Sequence, residues 1–130
     1  MTLTLTDFLL ARIAEDEAVA RDASPGTPNW EFSESAWHSW DVRTVGEKSY
    51  QITIDSEGLS DSVIDHSAGA HVARHDPARV LAECEAKRRV IEECDDYDNP
   101  SEVLILADQI LRHLALPYAD HPDYREEWAA

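Results

Sequence analysis

Apolar residues recur at helical spacing over residues 4–22, where Leu5, Leu9, Ile13 and Ala20 share one face. Thr4 and Asp7 supply a capping-box-like start, since each side chain can satisfy the other's free backbone N–H. One carboxylate, Asp16, interrupts the apolar face. Ser24-Pro25-Gly26-Thr27-Pro28 then stops the helix and turns the chain. The pattern next shifts to short runs of aromatic and β-branched residues: Trp30 to Ser33, Trp37 to Val45 and Tyr50 to Asp55. Tyr50, Ile52 and Ile54 alternate with Gln51 and Thr53, which predicts a strand with one buried face. With Val45-Gly46-Glu47-Lys48 as a hairpin turn, these runs predict a small antiparallel meander whose edges Trp30, Trp37 and Trp40 seal.

A polar stretch, Ser56 to Ser67, leads to a short helix at Ala68 to His75. Asp76-Pro77 is a strong helix start, because aspartate accepts from free backbone N–H groups and proline fits the first turn. That helix runs to about Cys94, with Val80, Leu81, Cys84 and Ile91 on one side and Arg88 among them. Asn99-Pro100-Ser101-Glu102 repeats the device and opens a helix to His113 or Leu114. Val103, Leu106, Ala107, Ile110 and Leu114 form its apolar stripe, the cleanest in the chain. The tail from Tyr118 to Trp128 is aromatic and charged, with a short helix after Pro122. The expected fold is therefore α+β and a single domain over 1–130: an N-terminal helix, about three antiparallel strands, then two to four helices packed on one sheet face.

Charge changes this picture in its exclusions. The 27 acidic residues outnumber 11 basic ones, for a formal net charge of -16. Such a surface has no basic excess to displace phosphate counterions, so direct nucleic-acid binding is not expected, nor docking on an anionic membrane. The acids spread through every segment, which fits solubility better than a phosphate-mimicking stripe, although a nucleic-acid mimic stands as one alternative. No apolar run reaches membrane-spanning length and no basic n-region opens the chain, so the expected location is the cytoplasm. Cys84 and Cys94 fall ten residues apart in one helix. Their separation of roughly 15 Å is too great for a disulfide.

Three groups of residues could carry chemistry. His71 and His75 stand at i and i+4, close to His66 and Asp76, a spacing at which two imidazoles can share a zinc or another divalent ion. Val72-Ala73-Arg74 between them lacks the glutamate of a zincin motif and brings an opposing cation. Asp16 and Arg88 sit on apolar helix faces, where a charge persists only if paired. A structural Asp16–Arg88 or Asp16–Arg79 bridge is expected, and an active-site carboxylate is the sharper alternative. Tyr118, Tyr124 and Trp128 give the tail the aromatic content of an interface core, against the reading that they fold back onto the chain's own core. The acidic loop Glu92 to Asp98 lacks the ligand spacing of a calcium loop. No phosphate-binding glycine loop, nucleophile elbow or Cys-x-x-Cys pair is present.

The runs His71-Val72-Ala73-Arg74-His75-Asp76-Pro77-Ala78-Arg79-Val80-Leu81 and Glu85-Ala86-Lys87-Arg88-Arg89 resemble an uncharacterised family of small actinobacterial and actinophage proteins. So does the ending Leu114 to Trp128, with its Ala-Leu-Pro-Tyr-Ala-Asp-His-Pro run, and the opening Phe8 to Arg21 with Glu15-Asp16-Glu17. The resemblance implies a cytoplasmic accessory role and names no catalytic residue. The first expectation is thus a non-enzymatic accessory or interaction protein without a cofactor, binding an unidentified protein partner or pairing as a homodimer. A metal-binding protein or metal-dependent enzyme using His71, His75 and a carboxylate is the alternative.

Overall fold

The computed structural model describes residues 2–23, 26–34, 40–55, 66–95 and 101–129. Trp37, the polar stretch 56–65, the acidic loop from Asp96 and the Asn99-Pro100 cap lie outside the described residues. Helix α1 spans Leu5–Asp22 and starts as the sequence predicts. Asp7 N–H donates to Thr4 Oγ1 at 3.0 Å, and Thr4 N–H donates to Asp7 Oδ2 at 3.4 Å. The chain divides into two compact units, one of residues 17–82 and one formed by residues 1–16 together with 83–130.

In the 17–82 unit, strands β1 (Trp30–Glu34), β2 (Trp40–Thr44) and β3 (Gln51–Asp55) form an antiparallel sheet in the order β1-β2-β3. Phe32 pairs with Val42, and Val42 with Thr53. The register slips between Val42 and Arg43, whose partner is Gln51, so Ile52 is an extra residue on β3. Tyr50, predicted to open the strand, falls just before β3 and is 42% exposed. Its main chain instead closes the turn: Thr44 N–H donates to Tyr50 O at 2.9 Å, and Tyr50 N–H donates to Thr44 Oγ1 at 2.8 Å. Gly46 gives that turn its left-handed residue, at φ 146°.

Helix α2 spans His66–Arg74 and packs across all three strands. Its glycine is what lets it approach: a Cβ on Gly69 would sit 2.7 Å from the Phe32 ring. Helix α3 (Pro77–Asp95) begins where the sequence places it. Arg79 N–H donates to Asp76 Oδ1 at 2.9 Å, as an N-terminal cap requires.

The other unit comprises the first turns of α1, the C-terminal part of α3, helix α4 (Ser101–Ala115) and two short 3₁₀ turns at Leu116–Tyr118 and Glu126–Trp128. Phe8, Leu9, Ile13, Cys84, Ile91, Ala107, Leu111, Ala115 and Trp128 are buried there. The stripe expected on α4 is rotated. Ala107, Leu111 and Ala115, an i±4 row, lie deepest, whereas Leu106 is 57% exposed. Apolar side chains surround most of α4, so periodicity alone does not choose which row turns inward.

Candidate functional site

The densest polar constellation sits on α1 of the second unit and is held by the tail. Leu116-Pro117-Tyr118 forms a 3₁₀ turn, and the chain continues in three-residue steps: His121 N–H bonds Tyr118 O, and Tyr124 N–H bonds His121 O, both at 2.9 Å. A three-residue step brings Tyr118, His121 and Tyr124 to one side. All three meet Phe8 edge-on, with ring centroids 6.3, 5.7 and 5.9 Å away, and Trp128 closes the cluster at 5.1 Å. Edge-to-face packing of this kind adds to simple area burial.

Around this aromatic floor the charges are paired. Arg12, one turn on from Phe8, is buried, with its guanidinium carbon 5.3 Å from the Phe8 centroid. Its Nη1 lies 2.9 Å from Nδ1 and 2.6 Å from Nε2 of His121, and its Nη2 donates to Glu15 at 2.8 Å. Asp123 N–H also donates to His121 Nδ1 at 3.1 Å. Asp16, a turn further along α1, accepts the Tyr118 hydroxyl at 2.6 Å, and Lys87 Nζ donates to the same phenol oxygen at 3.3 Å. Burial first, and the bond to Asp16 second, hold the Tyr118 hydroxyl well above its ordinary range. The phenol is therefore a proton donor to Asp16 at neutral pH, with no capacity to act as a base there.

These contacts place the predicted residues as follows. Asp16 is half-buried and takes its hydrogen bond from Tyr118. Arg88 is half-buried on α3, and Arg79 is exposed and serves the helix cap through its backbone. Trp128 is buried, while Tyr118 and Tyr124 are half-buried, all against Phe8. Arg12, Lys87 and His121 escaped the sequence reading. Their signal was spacing: Phe8, Arg12 and Asp16 form an i, i+4 row, and Tyr118, His121 and Tyr124 recur every third residue.

The histidine pair belongs to the 17–82 unit. His71 and His75 are exposed, with ring centroids 4.3 Å apart. His75 Nδ1 lies 2.9 Å from the His71 carbonyl oxygen, so Nδ1 carries the proton and Nε2 the lone pair. Asp76 is engaged in tying β1 to α3: its Oδ2 accepts Trp30 N–H at 3.0 Å, beside a bond from Ala78 N–H to Pro28 O at 2.9 Å. Among the described residues no group of three or more His, Cys, Asp or Glu is arranged to hold a metal ion. The side chain of His66 is outside the described residues.

The cysteines are free. Cys84 is buried with its Sγ 3.9 Å from Ile13 O, and burial, then Asp95 and Glu93, push the Cys94 thiol up, away from the thiolate a nucleophile needs. Beside Cys94, Val90, Val103, Leu106 and Ile110 line a groove of about 350 Å³ between α3 and α4. On the outer flank of α4, Leu104, Ile105, Asp108, Gln109 and Arg112 line a second shallow surface. No helix of the described residues is long and apolar enough to cross a membrane.

An N-terminal helix, a three-stranded antiparallel sheet and three following helices define a small α+β protein. The chain belongs to the family of unknown function DUF6221, whose model matches residues 2–130. No curated protein and no solved structure matches it.

Proposed function

We propose that the chain is a non-catalytic accessory protein that acts by binding another protein through the exposed apolar side of α4. The observation that carries this reading is the exposure of three consecutive large apolar residues: Leu104, Ile105 and Leu106 are 51%, 60% and 57% exposed. Apolar residues scattered singly are ordinary on a surface, but here Leu104 and Ile105 on one flank and Leu106 in the adjoining groove are exposed together, which marks a contact site. The polar constellation points the same way, since Asp16, Tyr118, Lys87, Arg12 and His121 use one another as partners. A cytoplasmic setting is supported by the sequence resemblance. An association with actinobacteria or their phages is supported by the sequence resemblance. The test is capture from an actinobacterial lysate by the full chain and by Leu104→Gln/Ile105→Gln/Leu106→Gln. A partner retained by the triple variant, with helicity unchanged, would sink the assignment to α4.

A second reading rests on the fixed tautomer of His75. With Nδ1–H bound to a backbone carbonyl, Nε2 of an exposed ring stands ready as a ligand beside His71. Two imidazoles with water completing the shell would hold zinc or another divalent ion. Elemental analysis and zinc titration check it, and the absence of any uptake that His71→Ala removes would end it.

A further inference from the structure

We infer that the outer flank of α4 pairs with α4 of a second copy of this chain, antiparallel about a two-fold axis that crosses this flank midway between Asp108 and Arg112, level with residue 110. The inference rests on the preceding reading of α4 as a contact surface and names its occupant. With a net charge of -16, two copies repel one another unless they meet where charge is low and balanced. Residues 103–119 carry one acid, Asp108, and one base, Arg112.

A two-fold interface must be self-complementary, because the same patch serves both sides. In an antiparallel pair centred on residue 110, positions equally far before and after the centre face each other. Asp108 then faces Arg112 of the other copy, two residues to either side. Leu104, 51% exposed, faces Leu116, 54% exposed, six residues to either side. Leu104, Ile105, Asp108, Gln109 and Arg112 line one shared surface, so Leu104 and the charged pair fall on the same flank. Within one chain Arg112 Nε already donates to Asp108 Oδ2 at 2.6 Å. Pairing joins two such bridges across the axis into a four-charge cluster between apolar ends.

Sedimentation of the full chain should show its mass doubling as concentration rises into the high micromolar range. Asp108→Arg and Arg112→Asp each set like charges against like across the axis, so each variant alone should be monomeric. An equal mixture of the two restores opposite charges at both contacts and should form a heterodimer. Ile105→Glu, at an exposed position, should also give a monomer, and far-UV circular dichroism confirms that each variant is folded. A wild-type chain that stays monomeric overturns the pairing, as does a dimer that survives either charge variant. Those results would leave capture of a different protein by α4 intact. Loss of that capture with the dimer unchanged would instead sink the preceding reading alone.

Discussion

Trp128 and Leu106 are both large apolar residues, yet one is 6% exposed and the other 57%. The tail carrying Trp128 has the composition of an interface, with aromatics and an arginine between charges. The helix carrying Leu106 has the periodicity of a core element. The structure exchanges those roles. Phe8 gathers Tyr118, His121, Tyr124 and Trp128 around itself, and Arg125 lies 5.6 Å over the Trp128 ring. Helix α4 commits only one row inward, Ala107, Leu111 and Ala115, and leaves large side chains outside. Aromatic content thus says that a segment will find a partner, and says nothing about whether the partner is its own chain.

The largest effect is expected from Trp128→Ala. A buried tryptophan truncated in a packed cluster should cost roughly 3 to 5 kcal/mol of unfolding free energy, read from the urea midpoint. A loss within error would mean the tail is not part of the core. Arg12→Met comes next, at about 1 to 3 kcal/mol, because it keeps the stem packing on Phe8 but strips His121 and Glu15 of their donor. A variant as stable as the parent would show those bonds to be idle.

Tyr118→Phe should cost about 1 kcal/mol at neutral pH through loss of the bond to Asp16. Its pH dependence sharpens the point. The hydroxyl of Tyr118 is held above its ordinary value of 10.0 in the folded chain, so its contribution is intact below that value. It is lost as pH rises towards the folded value, because the unfolded chain releases the proton first. Thermal melts between neutral and strongly alkaline pH should therefore fall more steeply for the parent than for Tyr118→Phe. Asp16→Asn should lose less than Tyr118→Phe, since an amide carbonyl still accepts the hydroxyl. The smallest effect is expected at Leu106→Gln, within about 0.5 kcal/mol. A large loss there would mean that α4 is buried on that side and would close the comparison from the other end.

What the amino-acid order determined by itself is local. Thr4 with Asp7, and Asp76 with Pro77, name their helix starts because a capping side chain reaches backbone only three residues away. The meander follows from alternation and a glycine-bearing turn, while the place of Tyr50 outside β3 and the register slip at Ile52 escape, since a bulge leaves no mark in a period of two. The family is legible in the sequence too, since its model matches residues 2–130. Tertiary structure decided everything that depends on a distant partner. Nothing local to Asp16 names the hydroxyl of Tyr118, 102 residues away in sequence, that donates to it. Gly69 reads as a weak point in a helix until the ring of Phe32 is seen where its side chain would be. The inward row of α4 was open for a similar reason: Leu106 and Leu111 are equally apolar, and only the surrounding helices determine which of them water is kept from.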